Sequence, residues 1–285
     1  MDIRYGTKDT SIDVYDLVVK NNMYIPCDDC NRAKIFGDPL INVLKSIFIN
    51  GVEYDDTKEI HIENNVVVVK ISPQKEDEQL TRSIHSKLKF EHGSLNDEFP
   101  EQVMSVKYLK GTEKVLEIGG NVGRNSVMIG YILNQQNNND FVTLECCTED
   151  ADKLIYNRDI NGLKFHVEKS ALSERKLIQN EWITEPSDVD RDGWKRINTI
   201  TWKELNDKYN IPFDTLVLDC EGAFYYILYD TPEILDNIKM VIMENDYPNI
   251  NHKYYVINKL QEKGFKLDYQ NYLADKQDFY QVWLR

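Results

Sequence analysis

Val115-Leu116-Glu117-Ile118-Gly119-Gly120-Asn121-Val122-Gly123 is the stretch on which the reading of this chain turns. Its first four residues read as a short apolar strand with a carboxylate near its end. The glycines then predict a tight turn, and Arg124-Asn125-Ser126 opens a helix. Glycine lets the backbone approach a ligand closely and adopt angles that a Cβ forbids. An ionised carboxylate accepts hydrogen bonds from hydroxyl or ammonium groups. A parallel α/β sheet holds nucleoside-like ligands with such a turn, at the carboxyl edge of its strands.

Outward from this turn, strand-like and helix-like segments alternate. Strands are expected over 114–118, 140–144, 164–168, 214–218 and 240–243, and helices over 125–133, 151–161 and 253–263. The alternation predicts a parallel sheet. Two late strands, 265–269 and 279–284, predict an antiparallel hairpin at its edge. Upstream the pattern changes. Glu59-Ile60-His61-Ile62-Glu63 alternates, Asn64-Asn65 follows, and Val66-Val67-Val68-Val69-Lys70-Ile71 runs apolar. That is a tight hairpin, because asparagine tolerates positive φ. With strand-like runs at 12–14, 24–25 and 46–49 and a Gly37-Asp38-Pro39 turn, residues 1–75 read as a small all-β domain. The polar stretch Ser72-Pro73-Gln74-Lys75-Glu76-Asp77-Glu78-Gln79 begins a linker or connecting helix, placed at 76–97, ahead of a second domain at 98–285.

The chain carries 34 Lys and Arg against 48 Asp and Glu, a net charge of −14. That balance argues against a nucleic-acid partner, since a phosphate backbone requires a basic face. No apolar run approaches the length of a membrane span. Met1-Asp2-Ile3-Arg4 lacks an export pattern. The five cysteines, Cys27, Cys30, Cys146, Cys147 and Cys220, are therefore expected as reduced thiols in a soluble cytoplasmic protein.

The expected strands end on acids: Glu117, Glu145, Asp219 with Glu221 just beyond, and Glu244 with Asp246 just beyond. In parallel strands these acids share one edge and face the crevice where ligands bind. Any one of them could equally be an N-cap for the following helix. A dinucleotide fold shows G-x-G-x-x-G with an acid about twenty residues on. Here the pattern is E-x-G-x-N-x-G, and the third spacing departs. An acid ahead of the glycines is unfavourable beside a pyrophosphate. It suits a ligand with an amino acid tail and no phosphate, such as S-adenosylmethionine, with Glu145 placed for the ribose diol.

On these residues the chain from 98 to 285 resembles the FkbM family of S-adenosylmethionine-dependent methyltransferases. The 115–123 run is similar to that family's V-L-D-I-G-A-N-I-G, with Glu117 for aspartate and Gly120 for alanine. Leu144-Glu145 resembles its F-E-P element, with Cys146 in place of proline. Ser170-Ala171-Leu172-Ser173 resembles its A-L-S-D element, and Leu218-Asp219-Cys220-Glu221-Gly222-Ala223 its K-I-D-V-E-G-A-E element, with Phe224 replacing the final glutamate. Val241-Ile242-Met243-Glu244 resembles the fifth strand. The resemblance implies a Rossmann-like class I methyltransferase sheet of the α/β class, mostly parallel with an antiparallel C-terminal hairpin, behind the small all-β domain. It also implies O-methyl transfer to a sugar or glycan hydroxyl.

The cofactor set that follows is Glu117 on the methionine amino group, Gly119 and Gly123 for close backbone approach, and Asn121 and Asn125 on the tail. Glu145 would hold the ribose, Cys146 follows it, Ser170 and Ala171 would line the adenine, and Asp219 borders the methyl. The candidate bases are Asp219 and Glu244, then Glu221 and Asp246. The same carboxylates could hold a divalent metal, and the sequence does not assign one. The segment Phe99-Pro100-Glu101-Gln102-Val103-Met104 reads as a packing helix first and a cover for the cofactor second. The N-terminal domain reads first as a stabilising appendage that could pair two copies of the chain, and second as a glycan- or partner-binding module.

Other signals are weaker. Cys27-Asp28-Asp29-Cys30 lacks the second pair that structural zinc needs. Asp188-Val189-Asp190-Arg191-Asp192-Gly193 matches half a calcium loop, but Thr199 stands where the bidentate glutamate belongs. Tyr225, Tyr226 and Tyr229 read as core, and His252 as a reserve base. Two other readings stay open: a binding protein that kept the fold but lost turnover, suggested by Phe224, and a nicotinamide-dependent oxidoreductase.

Overall fold

The computed structural model describes residues 1–71, 73–180, 183–273 and 276–285. Ser72, within the polar stretch expected as linker, lies outside them. The chain divides into two compact units, Met1–Leu80 and Thr81–Arg285. A helix, Pro73–His85, spans the point of division.

The N-terminal unit carries two antiparallel sheets. One orders Ser11–Asp13, Ile3–Gly6, Ser46–Ile49 and Val52–Tyr54; the other orders Tyr24–Ile25, Lys58–Glu63 and Val66–Ile71. The expected hairpin is present, with Asn64 at φ 50° and Asn65 at φ 62°. Two short helices, Tyr15–Lys20 and Asp29–Phe36, accompany the strands and were not foreseen. Asp28 opens the second by accepting from the Cys30 and Asn31 amides, the usual service of an N-cap. Ile3, Tyr5, Ile25, Ile47 and Ile60 form the core. Arg32 is fully buried and donates to the carbonyls of Pro26, Tyr54 and Lys58 at 2.9, 3.4 and 2.7 Å. One side chain thus satisfies three backbone acceptors from separate segments.

The second unit is built on a seven-stranded sheet. In chain order its strands are β1 (Val115–Ile118), β2 (Phe141–Leu144), β3 (His166–Glu168), β4 (Thr215–Leu218), β5 (Met240–Glu244), β6 (Lys266–Leu273) and β7 (Lys276–Leu284). Their spatial order is β3-β2-β1-β4-β5-β7-β6, with the first five parallel and β7 antiparallel to both neighbours. This is a Rossmann-like arrangement. The chain reverses direction of travel between β1 and β4, which opens a crevice at their carboxyl ends.

The inner parallel strands β1, β2, β4 and β5 are buried on both faces, hence their mostly apolar runs. Leu116, Leu216 and Val241 face one core layer with helices Phe224–Asp230 and Ile250–Glu262. Val115, Val217 and Ile242 face the other, with Phe99–Tyr108 and Arg124–Asn134. Between β3 and helix Trp202–Tyr209 the chain inserts a three-stranded antiparallel sheet, Leu177–Asn180 flanked by Ile183–Pro186 and Lys195–Ile197. The sequence pattern did not predict it. Among the described residues, no helix is long and apolar enough to cross a membrane.

Candidate active site

Gly119 sits at φ +96°, and a Cβ there would lie 1.6 Å from the Asp219 carbonyl oxygen. The turn after β1 and the turn after β4 therefore touch backbone to backbone. Only glycine permits this, because both the dihedral and the space exclude a side chain. Asn121, at φ 45°, completes the turn, and its Oδ1 accepts from the Val122 amide at 2.7 Å.

At the end of β2, Glu145 accepts from the Asn121 amide at 2.8 Å and the Cys147 amide at 2.7 Å. The carboxylate thus ties the glycine turn to the β2 turn, and each oxygen keeps further acceptor capacity. Burial raises its pKa, opposed by those two amides. Around it lies a cleft of about 950 Å3, walled by Gly119, Asn121, Glu145, Cys146, Ser170, Ala171, Asp219 and Glu221. Eight of the residues expected to serve the site thus share one cavity. The inserted three-stranded sheet contributes Gln179, Asn180, Lys195 and Arg196, and the β4 side adds Tyr226.

Among the described residues, the cleft wall does not include Glu117, Gly123, Asn125, Glu244 or Asp246. Strand alternation explains Glu117. It projects on the side of Val115, toward helix Arg124–Asn134, where Ser126 donates to it and Thr143 also bonds it. Only 2 % exposed, it has its pKa raised to about 7 by burial, partly offset by those hydroxyls. Asn125 is buried as well, with its Oδ1 accepting from Ser105 Oγ at 2.9 Å. Gly123, at φ +92°, packs on Leu154.

Glu244 and Asp246 belong instead to an acidic cluster beside the cleft. Glu98 and Glu101, at the start of helix Phe99–Tyr108, bring their carboxylates to Asp219, with one oxygen from each of the three within 4.8 Å of the others. Sequence reading missed both glutamates as site residues. The signal was an acid inside the apolar run 99–106, placed where a helix N-terminus favours negative charge. Glu98 is held by Arg124, Oε1 to Nη1 at 2.7 Å. Glu101 is 4 % exposed. Burial, then Asp219 and Glu244, push its pKa well up, and it shares a hydrogen bond with Glu244. Burial and Glu244 likewise hold Asp219 well above the usual carboxylate range. Buried Tyr280, paired across the sheet from Glu244, is raised by burial and by the same acids.

The remaining signals resolve simply. His252 stacks flat on Tyr225, with centroids 3.6 Å apart and planes 2° apart, in a ring cluster with Tyr226. Phe224 is buried in the core at 1 % exposure. All five cysteines are free thiols, and Asp190 pairs with Arg196 at 2.7 Å.

No family model matches the sequence, and a search of curated proteins finds no match. Solved structures similar to the chain include the O-methyltransferase TomG from Streptomyces achromogenes, in complex with SAM. It shares 14 % identity over 75 % of this chain and 90 % of that one, with a TM-score of 0.43. The O-methyltransferase from Bacillus cereus in complex with SAH shares 14 % over 78 % and 94 %, at 0.40. The ribosomal protein L11 methylase from Lactobacillus delbrueckii subsp. bulgaricus shares 14 % over 70 % and 83 %, at 0.42. At such scores the fold assignment rests on the strand order itself.

Proposed function

We propose that this chain is an S-adenosylmethionine-dependent O-methyltransferase whose acceptor is a hydroxyl of a sugar or glycan. The observation that carries the reading is the joined pair of turns: Gly119 pressed on the Asp219 carbonyl, with Glu145 bridging the Asn121 and Cys147 amides at the cleft. The donor set fits this cofactor. A carboxylate at the β2 end suits a ribose diol, acidic side chains beside the glycine turn suit a cation, and they oppose a pyrophosphate. The cleft, at about 950 Å3, is near the upper end of ordinary ligand pockets and has room for a nucleoside and an acceptor.

Glu145 would hold the ribose, Ser170 and Ala171 the base, and Asn121 with the Gly119 backbone the amino acid tail. Bound there, S-adenosylmethionine supplies an electrophilic methyl group on a sulfonium. The protein's part is to hold the acceptor oxygen in line, a positioning that contributes most when the reacting atoms stand roughly 3–3.5 Å apart. Asp219 lies on the cleft wall with a raised pKa, and a neighbouring positive charge favours its ionised form. It is thus suited to take the acceptor's proton, with Glu221 on the same wall and Glu244 behind it as relays. Glu117 then acts from beneath the turn, positioning it through Ser126 rather than touching the tail.

The second reading, a binding protein without turnover, rests on Phe224, which leaves the β4 turn without the acid that the resemblance places there. Calorimetry with S-adenosylmethionine and S-adenosylhomocysteine, followed by labelled-methyl transfer to a panel of sugars, separates the two. Incorporation supports the enzyme. Binding with no incorporation into any sugar favours the second reading, and absence of binding refutes both.

A further inference from the structure

The mechanism above leaves one feature without a task. Glu101 is 4 % exposed, and its Oε1 has no hydrogen-bond partner. A buried carboxylate oxygen left bare loses the hydrogen bonds that water would give it, so such an atom calls for a partner. Around it stand Glu98 and Asp219, each offering an oxygen within 4.8 Å of the others. Two oxygens on opposite sides of a calcium ion, each at about 2.3–2.6 Å, lie about 4.6–5.2 Å apart, and those on adjacent sides are closer. Three oxygens within 4.8 Å of one another are therefore close enough to share one ion.

We infer that Glu98, Glu101 and Asp219 form a binding site for one hard divalent cation, calcium or manganese in type, at the edge of the cleft. All three donors are carboxylates, the set that hard cations take and soft metals do not. Arg124 holds Glu98 through one oxygen and leaves the carboxylate oriented toward the other two. Helix Phe99–Tyr108 carries Glu101, its N-cap residue is Glu98, and the β4 turn carries the third ligand, so the ion would join them. Asp219 belongs to both the cage and the cleft wall. A cation held there can polarise an acceptor hydroxyl, a role that rests on the proposed function above.

The test is calorimetric titration of the full chain, freed of metal with EDTA, with manganese and with calcium. Binding of S-adenosylhomocysteine is measured separately in EDTA. The expected result is one cation per chain, with affinity reduced at least about tenfold in Glu101→Gln and in Glu98→Gln. Circular dichroism checks that each variant is folded. Because Glu98 is the more exposed of the two, Glu98→Gln carries the test if Glu101→Gln does not fold. Wild-type affinity in a folded variant would show adventitious binding to the acidic surface and overturn the site. Failure of the wild type to bind either metal would overturn it too, as would binding of spermidine in place of both metals. S-adenosylhomocysteine binding without cation binding removes the cage and leaves the methyl-transfer reading; the converse removes that reading and leaves the cage.

Discussion

Replacing Glu117 by glutamine should flatten the pH dependence of stability. Its carboxyl is 2 % exposed, and its pKa is lifted from 4.5 to about 7 by burial. Between those values the native state holds the proton and the unfolded chain releases it. Stability therefore falls as pH rises through that window and levels off above about 7. At about 1.4 kcal/mol per pH unit, the full loss is on the order of 3 kcal/mol. Glutamine keeps the shape and cannot ionise, so the variant escapes this loss. The assay is urea unfolding by tryptophan fluorescence from pH 4.5 to 8, and Trp194, Trp202 and Trp283 belong to the unit Thr81–Arg285. Relative to wild type, the variant should gain about 3 kcal/mol across that range. A constant offset between the two proteins at every pH would refute the assignment of a buried, proton-holding carboxyl beside Ser126.

Gly119→Ala should abolish S-adenosylhomocysteine binding by calorimetry, since the new methyl collides with the Asp219 carbonyl and the dihedral is strained. Glu145→Ala should strip two amides of their acceptor, costing roughly 1–3 kcal/mol in urea unfolding and weakening the same ligand. Asp219→Asn should remove most of the methyl-transfer rate, since the variant keeps the shape of the cleft wall but has no carboxylate to take the acceptor's proton. Arg32→Ala should remove a fully buried side chain with its three hydrogen bonds to backbone carbonyls and destabilise the N-terminal unit by roughly 3–5 kcal/mol. Hydrogen exchange over residues 1–80 reads this directly, and unchanged protection there would contradict it.

Local chemistry made much of this architecture legible. Apolar runs of strand length separated by helical segments implied the parallel sheet, and all five parallel strands lie within a few residues of where the pattern put them. The Asn64-Asn65 hairpin was equally plain, because asparagine in the left-handed region is a local preference. The glycine turn was legible for the same reason: its dihedrals belong to its own residues. The insertion of β7 between β5 and β6, and the three-stranded sheet ahead of Trp202–Tyr209, were not legible. Strand neighbours are chosen by packing and hydrogen bonding between segments distant in sequence.

The acids divide in the same way. That Glu145 and Asp219 stand at strand ends follows from the sequence alone. That Glu117 turns inward to a pair of hydroxyls, while Glu101 travels on a separate helix to meet Asp219, was decided only when the sheet and helices packed. Residue type and spacing fix the backbone path and the faces of each element. Which carboxylates come close enough to perturb one another is set by burial and by the order of the strands, and those belong to the folded chain as a whole.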